Sequence, residues 1–177
     1  MLRIILIYGI IAGLVVTVPL STAFMIMEAA PENGAFYGYL AMLLALTAVF
    51  LGIKRHRDKA LGGVIKFLPA LTVGLGISAV ASLFWVVAWE ITLASGFDFP
   101  AAYTNGMLEA ARAKGASEAE LQVVSADAAA FMKMYANPLV RVPITFVEMF
   151  PIGALISLIS AALLRNSRFL PARGNAA

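Results

Sequence analysis

The chain of 177 residues is 62% apolar and only 13% charged, carries a net charge of +3 and contains no cysteine. These values exclude an ordinary soluble domain, any disulfide and any thiolate metal site. The basic balance does not point to nucleic acid, because the cations are placed around long apolar runs.

Four such runs, residues 4–27, 35–53, 67–91 and 142–164, each approach the ~20 residues that a bilayer-spanning helix needs. A span must satisfy its own backbone hydrogen bonds, so helices are expected rather than strands. The predicted fold is an all-α membrane protein with one domain over residues 1–177. It is read as an antiparallel four-helix transmembrane bundle with an extracytoplasmic helical hairpin at about residues 98–137.

The first run follows Arg3, as a signal peptide would. It is longer than an h-region of about 7–15 residues and no A-x-A site follows, so a retained anchor is expected. Along it Gly9, Gly13, Thr17 and Ser21 recur every four residues. Small residues let helices approach closely in lipid, where apolar side chains gain nothing by leaving their surroundings. A second reading has the G-x-x-x-G of Gly9 and Gly13 join two copies into a homodimer.

The second run carries Ala41, Ala45 and Gly52 on roughly one side and ends in Lys54, Arg55, Arg57 and Lys59. Gly62 and Gly63 read as turn residues before Lys66. His56 is the sole histidine, set among cations, and reads as a solvated loop residue or an anionic-lipid contact. The third run repeats Ala70, Gly74, Ser78 and Ser82. Trp85 and Trp89, with Phe84, Phe36, Tyr37 and Tyr39, fit an outer aromatic belt, and Tyr8 and Phe67 an inner one.

Between the third and fourth runs a helix is expected from Asp98 and Pro100, with Tyr103, Met107, Leu108 and Ala111 as its apolar stripe, ending near Gly115. Ser117 and Glu120 then form an S-x-x-E capping box. A second stripe, Leu121, Val124, Ala128, Phe131 and Tyr135, runs until Asn137 and Pro138. The fourth run has Gly153, Ser157 and Ala161 at four-residue spacing, so Gly9, Gly13, Gly74, Ser78, Gly153 and Ser157 are the expected helix-packing positions.

Nine of the thirteen cations lie at the N-terminus, between the second and third runs, or after the fourth, where Arg165, Arg168 and Arg173 follow. Lys and Arg in short flanking segments set orientation, so both termini and the basic segment are expected in the cytoplasm. The expected location is a bacterial inner membrane, crossed several times.

Two acids depart from the apolar pattern. Glu148 lies two helical turns beyond Arg141, about 10 Å deeper in the fourth run, where a carboxylate must be paired, hydrated or protonated. Pro143 and Pro151 flank it. Glu90 sits near the same level on the third run. Glu148, Glu90 and Arg141 therefore form a candidate intramembrane polar site, in which the two acids share a proton or one of them bonds Arg141. One reading makes Glu148 part of a proton or cation pathway. The other makes it an interhelical hydrogen-bonding clip, and is favoured because only Ser78, Ser82, Ser157 and Ser160 could continue a path inward.

No catalytic residue, cofactor-binding residue or metal ligand is identified, since H-E-x-x-H, a Walker glycine loop and a nucleophile elbow are all missing. The expected partners are membrane lipids and a protein at the outer hairpin. The function read from the chain is a non-catalytic membrane component that binds a partner or supports an envelope complex. A small proton- or cation-linked transporter or channel using Glu148 with Glu90 is the alternative.

Linked segments carry a family resemblance. Tyr8, Gly9 and Gly13; Gly52, Ile53, Arg57 and Asp58; and Gly62, Gly63, Ile65 and Phe67 make up its first half. Gly115, Ala116 and Ser117; Tyr135, Asn137 and Pro138; and Phe146, Glu148, Phe150, Pro151 and Gly153 make up its second. In this order they resemble the domain-of-unknown-function 4199 family of small bacterial membrane proteins. Lys66 and Pro69 depart from its pattern at the start of the third run. The resemblance implies four spans and a bacterial inner membrane, and it implies no activity.

Overall fold

The computed structural model describes residues 1–26 and 34–172, so the expected end of the first span at Met27, and Arg173, lie outside the described residues. Six helices occur in order: α1 (Leu2–Ile26), α2 (Gly34–Ala60), α3 (Phe67–Ala94), α4 (Phe99–Ala113), α5 (Glu118–Tyr135) and α6 (Pro138–Leu164). No strand occurs among the described residues. Helices α1, α2, α3 and α6 are long and apolar enough to cross a membrane.

The helix ends follow local chemistry. Asp98 accepts a hydrogen bond from the Ala101 amide and caps α4, and Ser117 with Glu120 closes a reciprocal capping box on α5. Asn137 caps α6, with Pro138 at a position whose missing N–H would have no helical partner. Gly115, at φ +79°, turns the chain between α4 and α5. Three expected boundaries shift. Helix α2 continues past Ile53 to Ala60, because the basic stretch still pairs its backbone helically; α3 extends to Ala94 and α6 begins at Pro138.

Helix α3 packs along both α1 and α6, while α2 touches α1, α6 and α3. The glycine contacts fix the directions. Gly9 lies against Val80 and Gly13 against Phe84, so α1 and α3 advance together. Gly153 lies against Ser78 and Gly74 against Ser157, so α6 runs opposite to α3. A β-carbon at Gly153 would sit 2.6 Å from Cβ of Ser78, a separation no packed pair tolerates. The two serine hydroxyls stand 3.2 Å apart at this crossing. The small-residue rows thus face other helices of the same chain, and Gly9 with Gly13 are covered by α3 rather than open to a second copy. Leu46, Val49, Ile53, Val73, Ile77 and Met149 fill the space between these rows.

The basic stretch departs most from its expected place. His56 is buried rather than solvated, since helical spacing carries it one turn beyond Gly52, which meets Tyr8 of α1 and Ile77 of α3. Its Nδ1 has no hydrogen-bond partner among the described residues. Arg57 has no solvent exposure at all. Its Nε donates to Asp58 (2.7 Å), its Nη1 to the Phe169 carbonyl (2.9 Å) and its Nη2 to the Leu170 carbonyl (2.5 Å). The side chain therefore fastens the segment after α6 to the end of α2, and Phe169 packs edge-on against Phe50.

Candidate functional site

The polar groups at the opposite end are gathered where α3, α5 and α6 meet. Arg141, in the first turn of α6, reaches Glu90 on α3 through two parallel hydrogen bonds, Nε to Oε1 at 2.7 Å and Nη2 to Oε2 at 2.6 Å. This bidentate geometry is the strongest form of the Arg–carboxylate pair. Its Nη1 also faces the Ala136 carbonyl at 3.3 Å. One guanidinium thereby joins the end of α3 to the break between α5 and α6, where helix-end carbonyls lack partners within their own helix.

Glu148 stands apart from that pair. Its Oε2 accepts a hydrogen bond from the Trp85 indole N–H at 3.2 Å. The buried face of α6 is formed by Thr145, Met149, Gly153 and Ser157, and Glu148 lies on an exposed flank beside it. Of the three candidate residues, Glu90 and Arg141 are brought together. Glu148 has a different partner, so the carboxyls of Glu90 and Glu148 do not meet to share a proton.

A second network, which motif reading did not find, lies between these groups. The Trp89 indole N–H donates to the Tyr135 hydroxyl at 2.9 Å, and that hydroxyl lies 3.2 Å from Oγ1 of Thr145. Burial pushes the Tyr135 hydroxyl above the usual phenol range, so it stays protonated. Around it Trp85 stacks on Trp89, Phe99 stands edge-on to Trp89 at 5.0 Å, and Tyr135 lies 5.3 Å from Phe99. Trp85 and Trp89 are thus buried, at 5% and 6% exposure, rather than part of a lipid-facing belt. The available signal was chemical. A tryptophan in a tight interior needs an acceptor for its N–H, and Tyr135 and Thr145 were two of several hydroxyl residues, with Thr92, Ser95 and Tyr103, in the segments around the hairpin.

The serines and threonines further inside are engaged with their own helices. Ser78 donates to the Gly74 carbonyl, Ser82 to Ser78, and Ser157 to Gly153, each one turn back. Such back-bonding satisfies a buried hydroxyl without water. Among the described residues no three His, Cys, Asp or Glu side chains are grouped closely enough to hold a metal ion. The hairpin-end cluster can therefore fix helices relative to one another and present charge, and it holds no nucleophile paired with a base.

No curated protein and no solved structure matches the chain. A family model described as "Protein of unknown function (DUF4199)" matches residues 6–166, and the chain belongs to that family.

Proposed function

We propose that this protein is an antiparallel four-helix transmembrane bundle of a bacterial inner membrane, with both termini in the cytoplasm, which displays the α4–α5 hairpin outside to a protein partner. The observation that carries the reading is a contrast within the hairpin. Helix α5 buries Leu121, Ala128, Met132 and Tyr135, whereas α4 buries none of its residues. Phe99 and Tyr103 secure its first turns in the aromatic cluster, while Asn105, Met107 and Glu109 stay open. A helix that rests one face on α5 and leaves the other open suits recognition by a second protein. The role is non-catalytic.

The test is site-specific photocrosslinking in native membranes from Asn105 and Glu109 on α4, with Arg55 as a control at the other end. A crosslinked species of one discrete mass, formed only from α4 and lost when Met107 is replaced by Lys, is expected. No adduct from either α4 position would remove the reading.

Transport through Glu148 is the second reading, supported by the placement of that acid on a flank of α6 with a single indole partner. The back-bonded hydroxyls at the α3–α6 crossing weigh against a wet path. Reconstituted vesicles discriminate the two: proton flux that falls in Glu148→Gln supports transport, and equal flux removes it.

A further inference from the structure

The end of the helices formed by the start of α1, the α2–α3 turn and the exit of α6 carries Arg3, Arg55, Lys59, Lys66, Arg165 and Arg168, all exposed. Asp58 is the acid at this end among the described residues, and it is held between Lys54 and Arg57. None of the six exposed cations enters an ion pair among the described residues. They are six positive charges without an ion-pair partner among the described residues.

The fold also decides which of them become neighbours. Lys59 and Lys66 bracket the turn through Gly62 and Gly63, both at positive φ. Arg165 and Arg168 lie about a hundred residues later, on the segment that Arg57 holds by the Leu164, Phe169 and Leu170 carbonyls. The two stretches come together at Gly63, where a β-carbon would sit 3.2 Å from Cβ of Ala172. Leu61, Val64 and Leu170 are exposed between the cations, so the same edge offers apolar surface beside positive charge.

We propose that this edge is a binding site for anionic phospholipid, built by Arg57 from the α2–α3 turn and the segment after α6. Headgroup phosphates pair with Lys59, Lys66, Arg165 and Arg168, while Leu61, Val64 and Leu170 lie against the upper acyl chains. Charge complementarity selects the occupant, because basic clusters beside a membrane-spanning helix attract anionic headgroups at close range. Arg57 is a positioning residue: it is fully enclosed and touches no lipid. The inference rests only on the long helices crossing a bilayer, and it holds for either orientation.

The test uses the full chain in nanodiscs of phosphatidylcholine containing one-fifth phosphatidylglycerol, with lipid enrichment around the purified protein read by mass spectrometry. Phosphatidylglycerol is expected to be enriched around the wild type. Replacing Lys59, Lys66, Arg165 and Arg168 by Gln should bring that enrichment back toward the bulk fraction, the constant for exchanging phosphatidylcholine with phosphatidylglycerol falling about fivefold for each cation that contacts a headgroup, at roughly 1 kcal/mol per cation. The charge-keeping set K59R, K66R, R165K and R168K should restore it, and Arg112→Gln with Lys114→Gln on the hairpin should leave it unchanged. Arg57→Met, which removes no exposed charge, should also reduce enrichment. Equal enrichment in the wild type and the four-Gln variant overturns the site, as does an equal loss in the hairpin variant. Crosslinking from α4 stays intact in the four-Gln variant, so failure here and failure of the hairpin reading are separable.

Discussion

Arg57 at the basic end and Arg141 at the hairpin end both tie helices together, yet Arg57 has no exposed side-chain surface while Arg141 keeps 14%. Arg57 binds Asp58, its neighbour in the chain, and then backbone carbonyls from the segment after α6. Arg141 binds the carboxylate of Glu90, a residue on another helix that is 35% exposed. The first clasp holds irregular chain against a helix end, and among the described residues its guanidinium is the only donor to those carbonyls. The second joins two elements already fastened by the Trp89, Tyr135 and Thr145 network. An enclosed clasp without a substitute should matter far more than a half-open one with support.

Arg57→Met is the sharpest way to break that asymmetry. It leaves the Phe169 and Leu170 carbonyls without Arg57, and Asp58 with Lys54 alone, and removing one member of a buried pair costs about 3–5 kcal/mol. Thermal unfolding in mild detergent should show the loss, and proteolysis should reach residues 165–172 first. If the variant unfolds at the wild-type temperature with that segment still protected, the clasp is not structural. Tyr135→Phe comes next. It removes the hydroxyl that accepts from the Trp89 indole and faces Thr145, at about 1 kcal/mol for a lost hydrogen bond. Trp85 and Trp89 are the only tryptophans, so fluorescence reports this site directly. Unchanged emission and unchanged stability would mean that the indole N–H readily finds another acceptor.

Removing Arg141 and Glu90 singly and together gives a comparable effect, a coupling of about 1 kcal/mol, because an exposed carboxylate is screened by water. A coupling as large as the Arg57 effect would erase the contrast between the ends.

The same contrast explains what could be read from the chain beforehand. The four long helices and the hairpin with both its caps were legible, because apolar length and capping residues are local signals. The packing rows Gly74–Ser78 and Gly153–Ser157 were legible for a related reason: small residues at four-residue spacing state a close approach without naming the partner. Glu90 and Arg141 could be singled out by charge, but their pairing depends on where α3 ends and α6 begins. The basic stretch was misread in part, since a run of cations ordinarily means a solvated segment. Helical phase sets Arg57 one turn beyond the buried Ile53 and Arg55 one turn beyond the exposed Leu51, but only the return of the chain after α6, more than a hundred residues on, supplies the carbonyls that enclose Arg57. Helical continuation to Ala60 likewise brings His56 inward, a consequence of phase that composition hides.

The smallest effect belongs to the hairpin, where local rules suffice. Ser117→Ala removes the hydroxyl that meets the Glu120 amide and carboxylate, and loss of such a cap costs about 0.5–1 kcal/mol. The Ser117 backbone amide and hydroxyl hold the Glu120 carboxyl below the usual carboxylate range. A depressed carboxylate stabilises the folded form at pH above its unfolded value, and that contribution disappears as pH falls through the folded one. Acidification should therefore loosen the start of α5 in the wild type, seen as lower amide protection factors at residues 118–121 once the intrinsic slowing of exchange in acid is divided out. In Ser117→Ala the exchange should already be faster at neutral pH and respond less to acid. An equal acid response in both proteins would show that the box does not control this helix end. Exchange at Arg57 and Asp58 should stay slow in Ser117→Ala, because the disturbed cap lies at the far end of the molecule from the enclosed clasp.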